Sequence, residues 1–377
     1  MTTQLRRRNH IIGGGFVFNR QPLTNWKAAR AAVKAGTGRA KVIFAGDSSA
    51  GSYGSDTQNG FVAPNTVDAR LARQFTTEGL PSTYQAEFGG HGATALNIWD
   101  FRSAQGAFAY SNPATFGIMP GGEFLSASGA ATVSFAPADP TQTAVATDTC
   151  DIWYAQDSSA GSFSKQVDAG TATTINANGS SLITKTTVSA TSGNHTYKMN
   201  WVSGTAYYLG MHAYSSAVKA VDFWNMGSIG SWAQQWAGTG FFWEPGNTSV
   251  WTAFAPNIVL FSAGANDILG GASVATTQPY VVATINAIKA MGADVVVMGY
   301  NPIRTTVASV ATQVALRKMM YDAAISTGCT FIDFLSMMGG PLAWDTNNAN
   351  GLMFDDEHRS FKGYTSAVKV IHDILNS

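Results

Sequence analysis

The feature that most constrains what this chain can fold into is a double change of texture along it. Residues 22–80 read as α/β, with a helical pattern over 26–35, an apolar strand at 41–45 and a second helical stretch over 67–78. From about 85 to 220, Thr, Ser, Gly and Val take over. Short alternating runs recur there at 131–135, 150–154, 162–167, 182–188 and 195–201, between turn signals such as Asn178-Gly179 and Ser192-Gly193-Asn194. After 221 the α/β rhythm returns, with strands at 220–224, 257–262, 293–299 and 330–334 and helices over 279–291, 310–327 and 364–376. Strands alternating with helices of this length imply βαβ crossovers and a mostly parallel sheet. The expected fold class is therefore α/β: a doubly wound, flavodoxin-like parallel sheet in three α/β/α layers, formed by 1–84 and 221–377. An all-β sandwich, 85–220, is expected to interrupt it.

Composition narrows the partners. Lys plus Arg equals Asp plus Glu at 23 each, so the net charge is zero, and a basic excess or stripe of the kind nucleic acid requires is missing. Arg6-Arg7-Arg8 reads as a solvated tail. With only 12% charged residues the surface must rely on Ser, Thr, Asn and Gly, a composition common in extracellular or particle-associated proteins. His10-Ile11-Ile12 runs into Gly13-Gly14-Gly15 with no apolar core of a signal peptide, and no stretch approaches the ~20 apolar residues of a membrane span. Cys150 and Cys329 lie far apart and outside any CxxC pattern, which gives zinc no site. A Cys150–Cys329 disulfide is left open, and Cys329 reads as a buried strand residue.

Four short constellations carry the chemistry, each at the end of an apolar strand or near the sheet rim. The first is Gly46-Asp47-Ser48, after Val42-Ile43-Phe44-Ala45. In an open α/β sheet the functional crevice lies at the carboxyl ends of the strands, so Ser48 stands where reactions occur; alone, the triplet equally describes a turn and a helix N-cap. The second is Asp355-Asp356-Glu357-His358. A carboxylate three residues before an imidazole can accept from one ring nitrogen and leave the other free to take a serine proton, although a surface histidine on an acidic turn has the same spelling. The third is Gly264-Ala265-Asn266-Asp267, where the Asn266 amide is a donor suited to a developing oxyanion or, more simply, an Asx turn. The fourth, Asn225-Met226-Gly227-Ser228-Ile229-Gly230, brings a glycine N–H to the same rim or is a plain turn. Jointly they supply nucleophile, base, orienter and oxyanion donors.

In this order the four resemble the sequence blocks of the SGNH (GDSL-like) hydrolase superfamily, over roughly 38–80 and 221–377. The resemblance implies Ser48 as nucleophile, Asp355 and His358 as the rest of a catalytic triad, and Ser48, Gly230 and Asn266 as the oxyanion hole; Gly363-Tyr364 also fits the family's ending. Ser49 stands where the family often has Leu or Ile, and Arg359 where it often has Pro. Gly89-Gly90-His91-Gly92 is a rival second block; Gly230 is preferred over Gly92 because Asn225 precedes it at the family spacing. That choice puts the β insert between the first and second blocks, an unusual place.

The activity implied is serine-esterase hydrolysis of small acyl esters through an acyl-enzyme, with no metal or organic cofactor. An acylated carbohydrate is the expected substrate, because the insert resembles carbohydrate-binding β-sandwiches and because aromatics crowd the loops (Trp99, Trp232, Trp236, Phe241, Phe242, Trp243, Trp251). Trp232 and Trp236, just past the oxyanion loop, are the expected substrate wall, whereas Trp153 and Trp201 read as core. The competing classes are a lipase or arylesterase on longer acyl chains and a non-catalytic glycan-binding or particle protein.

Overall fold

The computed structural model describes residues 16–53, 55, 61–62, 65–88, 98–104, 106–111, 124–180, 182–238 and 248–377. Its centre is a seven-stranded sheet. From edge to edge the strands are Phe16–Phe18, Thr330–Asp333, Asp294–Met298, Ile258–Ser262, Ala40–Gly46, Val221–Gly227 and Ser82–Thr83. Phe16–Phe18 pairs antiparallel with Thr330–Asp333, and every other pairing is parallel. Setting aside the two edge strands that the sequence reading lacked, Phe16–Phe18 and Ser82–Thr83, the parallel strands run 2-1-3-4-5 in chain order, the flavodoxin-type order.

The strands are apolar on both faces because both faces are covered. Ile43, Ala45, Trp224, Met226, Val259 and Phe261 join one core with the helices Val274–Ala290 and Val310–Ser326. Their neighbours Val42, Phe44, Val221, Phe223, Ile258 and Leu260 join a second core with Thr24–Lys34, Val67–Thr77 and Phe361–Asn376. Two helices begin earlier than expected, and Val310–Ser326 begins where expected. Val274–Ala290 starts at the Ser273 cap, whose side chain accepts from Thr276 N–H, so Pro279 lies inside the helix rather than at its start. Phe361–Asn376 starts at the Ser360 cap in the same way, and Val310–Ser326 at Ser309.

Register places the chemistry. Ser262 pairs with Gly46 and Gly46 with Gly227, so three adjacent strands end side by side. The strand Ala40–Gly46 is the point where chain order reverses, and the crevice of such a sheet opens there. Gly46 has φ +128°, and a Cβ on it would stand 1.7 Å from the Ser262 carbonyl oxygen, so only glycine allows the chain to turn here.

Between residues 86 and 214 two antiparallel sheets form. One runs Thr173–Asn176, Ser162–Val167, Tyr197–Ser203, Thr132–Phe135, Ser103–Ala104; the other runs Leu182–Gly193, Thr147–Gln156, Ala206–Tyr214, Phe124–Ala127, Ala109–Ser111, with Ala86–Phe88 also on Ala206–Tyr214. Phe135, Phe163, Tyr197 and Met199 of the first meet Ile152, Tyr208, Met211 and Ala213 of the second in one core. The second sheet's other face lies on the parallel sheet: Trp153 packs edge-on against Trp224 at 6.1 Å and Phe254 at 4.7 Å. The contact is also polar. Buried Asp222 is paired with Arg39 and His212, and although burial alone would raise it, these partners hold its carboxyl down at about 2.

Cys150 and Cys329 are both buried and unbonded, and they sit in separate cores, so no disulfide joins them. No helix among the described residues is long and apolar enough to cross a membrane.

Candidate active site

Ser48 follows the Gly46 turn and is 7% exposed. Its Oγ lies 2.7 Å from His358 Nε2, although the two residues are 310 positions apart. On the other side of the ring, His358 Nδ1 is 2.9 Å from Asp355 Oδ2 and 3.0 Å from Oδ1. A carboxylate at Nδ1 fixes the neutral ring with its proton there and its lone pair on Nε2, facing the Ser48 hydroxyl. Burial pushes Asp355 up, but its bonds to the His358 ring and to the Glu357 and His358 backbone N–H groups hold it below the usual carboxylate range.

The histidine loop is tied down from several directions. Asn301 donates to the Glu357 carbonyl at 2.6 Å, Trp344 Nε1 to the Asp355 carbonyl at 3.2 Å, and Phe354 N–H to the His358 carbonyl at 2.9 Å. The Tyr53 ring meets the His358 ring edge-on at 4.8 Å. Arg359, in the place of a family proline, is accommodated by stacking over Phe334 at 4.0 Å and Tyr364 at 5.0 Å, with Nε donating to Asn301. Burial there lowers its pKa to about 10.

The expected oxyanion residues come from the two neighbouring strand ends. Gly230 is an exposed glycine with φ +74°, on a loop tied to the strand Ala40–Gly46 by the bond from Ser228 N–H to the Gly46 carbonyl, 2.7 Å. Asn266 Nδ2 donates to the Ser231 carbonyl at 3.0 Å, so the loops of Gly230 and Asn266 touch. Asp267 accepts from Ala233 N–H at 2.8 Å and caps the short helix Ala233–Ala237. Asn225 is buried; its amide donates to the Gly51 carbonyl at 2.9 Å, bracing the loop after Ser48. Gly92, the rival glycine, lies outside the described residues, as do His91, Phe241, Phe242 and Trp243; the side chain of Trp99 does too.

The tryptophan expectation needs correction. Trp236 is 0% exposed, packs against Trp251 and Phe261, and its indole N–H is spent on Ser231 Oγ at 2.9 Å, so it is core. Trp251 is buried likewise. A short helix beginning at Ala233 turns one of every few side chains inward, and Trp236 is on that side. Trp232 precedes the helix, is 39% exposed and lies over Gly270.

Sequence reasoning missed Tyr300 as a partner of Asp47. Asp47 is buried beside Ser48, with Oδ1 accepting from Ser49 N–H at 3.0 Å and Oδ2 accepting from the Tyr300 hydroxyl. Burial drives its pKa up to about 6, against the Tyr300 and Ser49 hydrogen bonds and the charge of His358. The available signal was positional: Tyr300 follows Asp294–Met298, the next strand end along the same rim.

Among known proteins, residues 212–365 match the model of the GDSL-like lipase/acylhydrolase family, a segment that carries Gly230, Asn266, Asp355 and His358 but not Ser48. A peptidoglycan O-acetylesterase structure shares the fold nearly end to end, covering 96% of this chain and 98% of its own at 15% identity and a TM-score of 0.73. A family two carbohydrate esterase from Cellvibrio japonicus aligns at 10% identity over 60% of this chain and 83% of its own, with a TM-score of 0.24. A lipolytic G-D-S-L family member from Veillonella parvula aligns at 16% identity over 41% and 81%, with a TM-score of 0.32. No curated protein sequence matches the chain. The family match takes in three of the four motif-bearing loops, so residues 212–365 carry the GDSL-like acylhydrolase likeness and the chain is an ester hydrolase.

Proposed function

We propose that this esterase removes small acyl groups, acetyl foremost, from a carbohydrate, with Ser48 as nucleophile, His358 as general base and Asp355 as its orienter. The observation that carries this is the continuous relay from Ser48 Oγ to His358 to Asp355 at 2.7 and 2.9 Å. His358 Nε2 takes the Ser48 proton as Oγ bonds to the ester carbon. The N–H groups of Ser48 and Gly230 and the Asn266 amide hold the oxyanion. The sugar hydroxyl leaves with the proton from His358, giving an acyl-serine. Water then attacks with His358 again as base, and acetate departs as Ser48 regains its proton. No step calls for a metal or organic cofactor.

The sugar is supported by two features of unequal kind. The chain shares its whole-length fold with a peptidoglycan O-acetylesterase, and Trp232 offers an exposed indole beside the oxyanion loop on which a sugar ring can stack. We read 1–84 and 221–377 as the catalytic domain and 85–220 as an inserted β-sandwich accessory domain. An acetylated glycan as substrate fits a protein working outside a cell or on a particle.

The test compares p-nitrophenyl acetate with p-nitrophenyl octanoate for wild type and Ser48→Ala. Acetate is expected to be the better substrate and turnover to vanish in Ser48→Ala. Activity that survives in the variant would sink the triad, and a preference for octanoate would move the substrate from acetyl esters to longer acyl chains.

A further inference from the structure

Three loops surround Ser48, and their hydrogen bonds close into a ring. Ser228 N–H binds the Gly46 carbonyl at 2.7 Å; Asn266 binds the Ser231 carbonyl at 3.0 Å and Asp267 binds Ala233 N–H at 2.8 Å. The strand end that leads into the Asn266 loop is already tied to the nucleophile turn by the bond from Asp47 N–H to the Ser262 carbonyl at 2.9 Å, and a side chain from a fourth strand end adds a second link, to the loop itself. The Tyr300 oxygen accepts from Ala265 N–H at 3.2 Å and its hydroxyl donates to Asp47 Oδ2. Directions are fixed here, because a backbone N–H can only donate. With Ala265 donating to the Tyr300 oxygen and the Asp47 carboxylate ionised, the Tyr300 proton goes to Asp47, and both Asp47 oxygens act as acceptors. Tyr300 is 6% exposed and Asp47 1%, so neither bond competes with solvent.

We propose that Tyr300 is a positioning residue of the esterase, locking the nucleophile turn to the loop that carries Asn266 by bridging the Asp47 carboxylate and the Ala265 N–H. The role rests on the serine-esterase reading above. It concerns the alignment of Ser48 Oγ with an oxyanion donor, which matters in the transition state and little in the bound substrate. Its loss therefore lowers kcat and leaves KM in place.

Tyr300→Phe removes only the hydroxyl. We expect kcat on p-nitrophenyl acetate to fall about tenfold, within the range a small misplacement produces, with KM within about twofold. The acid limb of the kcat profile should also move to higher pH. The Tyr300 hydrogen bond is one of the interactions holding Asp47 down; Ser49 N–H and His358 act the same way, while Asp267 pushes the opposite way and the Tyr364 phenol also faces it. A hydroxyl with only a packing role would leave that limb where it is. Asp47→Asn should show a similar kcat loss, and the double variant should be no worse than Asp47→Asn alone, since both act through one bridge. Losses that multiply, or a Tyr300→Phe enzyme with wild-type kcat, would overturn the proposal. If Tyr300→Phe does not fold, wild-type kcat in Asp47→Asn overturns it equally. A fluorophosphonate probe, read by mass spectrometry, separates this failure from that of the esterase reading. Wild-type protein left unlabelled at Ser48 removes the serine esterase and the Tyr300 role with it. Equal labelling rates in wild type and Tyr300→Phe remove only the latter.

Discussion

Two tryptophans four residues apart illustrate how much a single side chain's surroundings decide. Trp236 is buried among Trp251 and Phe261, so Trp236→Ala should cost about 3–5 kcal/mol in chemical denaturation, the usual range for emptying such a site. Trp232→Ala should leave the melting midpoint almost unchanged and raise KM for an acetylated polysaccharide, while turnover of p-nitrophenyl acetate stays near wild type. A stability loss in Trp232→Ala equal to that of Trp236→Ala would remove it from the substrate surface. The sequence showed both residues beside the oxyanion loop but not which way each pointed, since that depends on where the short helix Ala233–Ala237 begins. By contrast Ser48, Asp355 and His358 were legible because each sits in a motif whose spacing is itself the chemistry. Tyr300 was not, because its partners lie in two other strands and no local pattern records them.

At the scale of elements, the strand Ala40–Gly46 and the turn after it have no room to vary. Gly46→Ala should abolish the folded protein, seen as loss of soluble expression or of a cooperative melt, because the added carbon meets the Ser262 carbonyl. The core strands of the parallel sheet were readable as continuous apolar runs. Helix starts were less uniformly so: the start at Val310 was read, but the serine caps at 273 and 360 set two starts earlier than expected, and Pro279 gave a false start signal. The strand Ala86–Phe88 carries a different constraint. Burial, followed by the charge of Asp100, raises Glu87 from 4.5 to about 7, although the Tyr208 hydroxyl donates to it at 2.7 Å. Above pH 7 the carboxylate is ionised whether the chain is folded or not, and the full cost of its burial is present. As pH falls from 7 toward 4.5 the folded state takes up the proton first and stability rises. Glu87→Gln should therefore raise the melting midpoint at pH 8, by up to roughly 3 kcal/mol of stability, and the gain should shrink toward pH 5. A gain independent of pH would show that the carboxylate does not titrate there.

At the scale of the molecule, the antiparallel region is fastened to the parallel sheet rather than tethered to it. Trp153 and Phe88 belong to the same core as Trp224 and Phe254, and the Arg39–Asp222–His212 cluster lies at the same contact. Replacing 85–220 by a short linker should give an aggregating protein that binds a hydrophobic dye, because the indole of Trp224 and the ring of Phe254 lose their cover. A soluble, active remainder would show instead that the contact is dispensable. The changing texture of the sequence announced two architectures. It could not announce that they share a core, since alternation along a strand reports that a face is buried and is silent about what buries it.

That arrangement also sets a schedule. Ala40–Gly46 is made early, yet both strands that flank it, Val221–Gly227 and Ile258–Ser262, are made only after the whole antiparallel region. At usual rates of synthesis this buried strand waits roughly ten to forty seconds for its neighbours. During that interval the growing chain carries a bare, aggregation-prone segment with Ser48 at its end and His358 not yet made. Ser48 therefore meets the His358 ring only after almost the whole chain has been made.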